Sequence, residues 1–129
     1  PAISRGGDWG YHMAWFDGGE KAGLFYGRID GDAWVSSPAK RFGNANFQAG
    51  HPSLLSINEK VYLAWKEIND SDNYIVLAIS EDGGKNWLEA KKIKKTEGAS
   101  DYPELIQFNN KAFLSWNTIK DGYQFIALE

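Results

Sequence analysis

Apolar and polar positions along this chain alternate in short runs separated by turn residues, a period-2 pattern that predicts β-strands. Tyr74 to Ile79 reads YIVLAI, rich in β-branched and aromatic side chains, and Leu88 to Ile93 reads LEAKKI, apolar and polar in turn. The residues between them include Asp-Gly-Gly, so the two runs predict a β-hairpin. The pattern also repeats. Pro52-Ser-Leu-Leu-Ser-Ile-Asn58 is followed by Lys60-Val-Tyr-Leu-Ala-Trp65, and Pro103-Glu-Leu-Ile-Gln-Phe-Asn109 by Lys111-Ala-Phe-Leu-Ser-Trp116. The two prolines lie 51 residues apart, as do the two tryptophans. A third copy opens the chain with Pro1-Ala-Ile3 and Tyr11-His-Met-Ala-Trp15, where one extra residue falls in the turn from Arg5 to Gly10.

A period near 50 residues with several short strands in each unit is the signature of propeller blades. The units are 1–51, 52–102 and a truncated 103–129. In the second unit the strands are expected at about Ser53–Ile57, Val61–Lys66, Tyr74–Ser80 and Trp87–Ile93, the first innermost. Leu24–Ile29 is the third strand of the first unit. Tyr123-Gln-Phe-Ile-Ala-Leu128 matches Tyr74-Ile-Val-Leu-Ala-Ile79 in the third. The expected fold is therefore all-β, with four-stranded antiparallel blades and an incomplete ring in one chain. About two and three-quarter blades cannot close a propeller of roughly four to eight. The remaining blades are expected from the same polypeptide, which is favoured, or from homo-oligomer copies.

The turn itself carries more information. Ser80-Glu81-Asp82-Gly83-Gly84-Lys85-Asn86-Trp87 reads S-x-D-x-G-x-x-W. Ser80 and Asp82 can hydrogen-bond to the turn's own backbone, the glycines permit positive φ, and Trp87 turns inward over apolar neighbours. Ser80, Asp82, Gly84 and Trp87 are thus a folding device rather than catalysts. The pattern resembles the Asp-box of the sialidase-type (BNR-repeat) β-propellers, and Asp30-Gly31-Asp32-Ala33-Trp34 resembles a degraded copy without the serine. The resemblance implies a propeller, a link to carbohydrate and an extracellular or periplasmic location. Sialidases of this kind use an arginine triad, a tyrosine–glutamate nucleophile pair and an aspartate acid/base. The three arginines here, Arg5, Arg28 and Arg41, stand outside those motif contexts, so no catalytic residue is carried over. The implied function is a binding or scaffold module for glycans. The alternative is a fragment of a glycoside hydrolase whose catalytic residues lie in missing blades, and enzymatic activity is left open between the two.

Composition agrees with packed sheets. Of 129 residues 43% are hydrophobic and 15% aromatic, with six tryptophans, a composition unlike that of disordered chains. The net charge of −3 has both signs interspersed, which gives no nucleic-acid footprint. No apolar run approaches the ~20 residues of a membrane span. There are no cysteines, which excludes disulfides and thiolate chemistry. The basic run Lys91-Lys92-Ile93-Lys94-Lys95 is expected on a solvated outer strand that resists edge pairing.

If a first strand runs from the top face downward, the Asp-Gly-Gly hairpin lies at the bottom, and ligands gather at the top on loops held by rigid strands. His51 and Tyr102 occupy equivalent positions there, each just before a unit-opening proline. Lys66 and Glu67 follow the second-strand tryptophan and can bind polar ligands. Asp17 and Asp101 are possible carboxylate acids or bases, each a lone candidate in its stretch of sequence. Asn69-Asp70-Ser71-Asp72-Asn73 is rich in oxygen but lacks the spacing of a calcium loop, so a polar turn is expected, with no metal and no cofactor. Trp15, Trp65 and Trp116 recur at one position and Trp34 and Trp87 at another, as expected for packing between units. Trp9 is the aromatic most free to be exposed.

Overall fold

The computed structural model describes residues 1–6, 10–18, 22–30, 35–43 and 48–128; Trp9, Trp34 and most of the degraded copy of the turn motif lie outside them. The described residues build three antiparallel sheets, one from each repeat. The first contains β1 (Ala2–Arg5), β2 (Tyr11–Asp17), β3 (Gly23–Asp30), β4 (Val35–Ser36) and β5 (Lys40–Phe42). The second contains β6 (Gln48–Ile57), β7 (Lys60–Asn69), β8 (Asp72–Ser80) and β9 (Lys91–Glu97). The third contains β10 (Glu104–Phe108), β11 (Lys111–Thr118) and β12 (Gly122–Leu128). Each sheet is a meander in which consecutive strands pair, except that β4 and β5 both pair with β3. Pro38 lies between these two short strands and cannot donate to the ladder. The three sheets form no closed ring.

The chain's apolar pattern explains why the second sheet is central. Along β7, Val61, Leu63 and Trp65 point to one face and Tyr62 and Ala64 to the other, and all five are buried. A strand buried on both faces reads as a continuous apolar run. On one side Leu54, Val61, Leu63, Trp65 and Val76 pack against Ala14, Leu24, Tyr26 and Phe42 of the first sheet. On the other, Ile57, Tyr62, Ala64, Ile75 and Leu77 pack against Leu105, Ala112, Leu114, Trp116 and Leu128 of the third. The sheets approach most closely at their first strands, where β6 lies against β1 and β2 on one side and β10 on the other. Two hydrogen bonds join first strands directly: Ser56 N donates to Ser4 Oγ at 3.2 Å and Leu105 N to Ser53 Oγ at 3.0 Å.

Three details differ from the sequence reading. The fourth strand of the second sheet begins at Lys91 rather than Trp87: Leu88 N still donates to Ile79 O at 2.9 Å, but the regular ladder with β8 starts only where Lys91 pairs with Leu77. The first strand of that sheet starts at Gln48, so His51 sits inside a strand and not in a loop. The match of Tyr123 to Tyr74 is one residue out of register. Tyr74 stands opposite Glu67, whereas Tyr123 stands opposite Asn117, the repeat counterpart of Lys66. A one-residue slip turns a side chain to the other face, and the two tyrosines accordingly face opposite ways.

Candidate functional site

The end of the molecule where β6 begins and β7 ends carries a cavity of about 470 Å³, within the range of small-molecule sites. Its lining includes Phe16, His51, Lys66 and Tyr102, with Pro1, Pro52 and Ile68 around them and Trp15 and Gly50 contributing. The lining residues come from the first two units, 1–51 and 52–102.

The backbone positions these groups for a stated reason. Gly50 pairs with Lys66 and Ser53 with Ala64, so His51 and Pro52 together stand opposite Trp65. Two residues facing one is a β-bulge, which bends the strand and re-aims side chains. Pro52 fits the interruption because it has no N–H to lose. His51 has φ of 54°, a left-handed conformation uncommon for a residue with a Cβ. The result is that the His51 imidazole stacks on Tyr102, centroids 3.4 Å apart and planes inclined by 16°.

Lys66 supplies the charge. It lies on the same face of β7 as Tyr62 and Ala64 and is buried, and its Nζ donates to Ser100 O at 2.7 Å. The ammonium also lies 5.5 Å from the centre of the Tyr102 ring, within cation–π range. Burial lowers its pKa, and the Asp101 carboxylate acts in the opposite sense. Asn73, buried, holds the segment that Lys66 contacts: Nδ2 donates to Gly98 O at 2.7 Å and Oδ1 accepts from Ser100 Oγ at 3.1 Å.

Not every sequence candidate joins this group. His51, Tyr102 and Lys66 converge, and Asp101 acts on Lys66 through its charge. Glu67 does not: it points to the opposite face of β7, is buried, and accepts a hydrogen bond from Trp65 Nε1 at 2.7 Å. Alternation along a strand sends neighbours to opposite faces, so Lys66 and Glu67 cannot serve one ligand side by side. Asp17 ends β2, exposed, outside the cavity lining. Asn69–Asn73 is a tight turn with Asp70 at φ 56°, and among the described residues no group of three His, Asp or Glu side chains is placed to hold a metal. Phe16 was not anticipated. Its signal was present, since the positions that repeat it are Lys66 and Asn117, both polar.

At the opposite end, the turn after β8 is held by its own side chains. Gly84 N donates to Ser80 Oγ at 2.8 Å, and Ser80 Oγ bonds Asp82 Oδ1 at 2.8 Å. Asp82 accepts from Asn86 N at 2.8 Å and from Asn86 Nδ2 at 2.7 Å. These bonds hold the Asp82 carboxyl down at about 2, the Asn86 backbone bond foremost. Trp87 Nε1 donates to Gly84 O at 3.1 Å. The Trp87 ring then leaves its own sheet and meets Tyr26 and Phe42 of the first sheet edge-on, at 4.8 and 5.1 Å. Gly83 O accepts from Arg28 Nη1 at 3.0 Å. The turn is thus a clasp between two sheets. Beneath it, Tyr26 OH lies 2.6 Å from His12 Nδ1, and burial raises the Tyr26 pKa to about 12.

No protein-family model, curated protein or solved structure matches this chain.

Proposed function

We propose that this chain is a segment of an Asp-box type β-propeller that acts as a binding module, with a sugar as the ligand of the His51–Tyr102–Lys66 cavity. The observation that carries the reading is the strained His51 in a bulge, stacked on Tyr102 and facing a buried ammonium. Aromatic faces bear negative quadrupole charge and suit the electropositive C–H face of a pyranose. Lys66 and the His51 imidazole add donors for hydroxyl or acidic substituents. The propeller part of the reading is supported by three sheets of common register that draw together at their first strands, and by the Ser80–Trp87 turn.

Binding is favoured over hydrolysis because, among the described residues, those lining the cavity include no carboxylate, whereas glycoside hydrolysis ordinarily needs a pair of them. The reading is tested by titrating neutral and acidic mono- and disaccharides by calorimetry, with saturation-transfer NMR as a second readout. Tyr102→Ala is expected to weaken binding about tenfold, roughly 1.4 kcal/mol, with the fold intact because Tyr102 is exposed. Lys66→Met is expected to weaken acidic sugars more than neutral ones. A panel in which no sugar binds, or binding untouched by both substitutions, would sink the proposal.

A further inference from the structure

Among the described residues the first and third sheets each leave one face uncovered, and the two uncovered faces are the two halves of an interface that the chain already makes twice. Call the face a sheet turns towards the preceding repeat its front, and the other its back. In the second sheet the front carries Leu54, Leu63 and Trp65 and the back carries Leu55, Tyr62 and Leu77. Fronts of the second and third sheets are buried on the backs of the first and second.

Register extends this to the free faces. Ile3 pairs with Met13 as Leu54 pairs with Leu63 and Leu105 with Leu114, and Trp15 faces Phe25 as Trp65 faces Val76. The front of the first sheet is therefore Ile3, Met13, Trp15 and Phe25, apolar position for position with its buried counterparts. Ile3 is nevertheless 65% exposed. At the other end, Ile106 pairs with Phe113 as Leu55 pairs with Tyr62, and Phe125 faces Ser115 as Leu77 faces Ala64. The back of the third sheet thus carries Ile106, Phe113 and Phe125 together with Phe108 and Tyr123. Phe108, Tyr123 and Phe125 are 63%, 62% and 52% exposed, and Phe125 stacks on Phe113 at 5.0 Å. Clustered aromatic exposure of this kind marks an interaction surface.

We propose that the back of the third sheet binds the front of the first sheet of a second copy of this chain, reproducing head to tail the packing between consecutive repeats. The complementarity is internal to the molecule, because the same two patterns already fit one another at both sheet junctions. A polar detail agrees. Ser53 Oγ accepts from Leu105 N across the second junction. The register counterparts of these residues at the free faces are Glu104 and Ile3, so the Glu104 carboxylate offers an acceptor to the copy's Ile3 N–H. Such an interface is heterologous: it joins two different surfaces and leaves one of each free until a ring closes.

That asymmetry gives the test. Light scattering after size exclusion should give the wild-type chain a mass that is a multiple of 14.5 kDa and rises with concentration. Ile3→Glu blocks the head and Phe125→Glu blocks the tail, both at exposed positions where folding is spared. Each variant alone should run as a monomer with unchanged circular dichroism. Mixed one to one, they should form a heterodimer through the one head and one tail left intact, and the double variant should join neither. The proposal is overturned if the wild type stays monomeric at all concentrations, which would assign these faces to other polypeptide. It is equally overturned if either single variant still self-associates, as a two-fold symmetric contact would, or if the mixture fails to combine.

Discussion

At the scale of the residue, two acidic side chains show how position decides role. Asp82 stands in the turn with its carboxylate accepting from Asn86, and its folded pKa of about 2 lies below the ordinary 3.8. A depressed folded pKa contributes stability that is complete above the unfolded value and is lost as pH falls through the folded one. Urea unfolding midpoints should therefore fall between pH 5 and pH 2, and Asp82→Asn should remove part of that fall. A variant with the wild-type pH dependence would deny Asp82 this role. Glu67 is the buried counterexample, its carboxylate taken by the Trp65 indole. Glu67→Ala leaves a buried N–H without this acceptor and should cost about 1–3 kcal/mol in denaturant unfolding, without altering ligand affinity at the cavity on the other face.

At the scale of the element, the strand ends carry the information. The bulge at His51 and Pro52 was not legible, because the sequence marks Pro52 as a strand start and gives no sign that pairing resumes before it. The pairing of Gly50 with Lys66 shows why it does: β7 is ten residues long and offers a partner beyond Trp65. The clasp after β8 was legible, since Ser80, Asp82, Gly84 and Trp87 bond within eight residues of sequence. What it clasps was not. Gly84 has φ of 88°, and a Cβ there would run into the Tyr26 hydroxyl of the neighbouring sheet. Gly84→Ala is accordingly expected to destabilise by more than about 1 kcal/mol. Thermal unfolding of this variant at the wild-type midpoint would contradict the close approach.

At the scale of the whole molecule, burial is unequal among three sheets that share one plan. Among the described residues the second sheet has a neighbour on each face, and the first and third have one apiece. Local opening free energies follow burial and packing, so amide exchange should be slowest in β7 and β8 and faster in β2 and β11, the same strand of the outer sheets. Equal protection across the three would mean that the outer sheets are covered in solution. The repeat of Trp15, Trp65 and Trp116 illustrates the inequality. Trp65 and Trp116 are buried at 1% exposure, whereas Trp15 holds the same register position on the first sheet's uncovered front and is only half-buried.

The sequence alone determined what depends on near neighbours along the chain. Alternation fixed the strands, glycine and short polar residues fixed the turns, and the repeat marked His51 and Tyr102 as equivalent positions. Those follow from local geometry, which a few residues specify. Tertiary structure alone decided what depends on register and on facing surfaces. It sent Glu67 inward while Lys66 reached the cavity, separated Tyr74 from Tyr123 by a one-residue slip, and brought Phe16 from another sheet to the cavity. Strand pairing and sheet packing choose among faces that the local pattern leaves equal, because an apolar side chain is satisfied by any dry surface and only the assembled sheets supply a particular one.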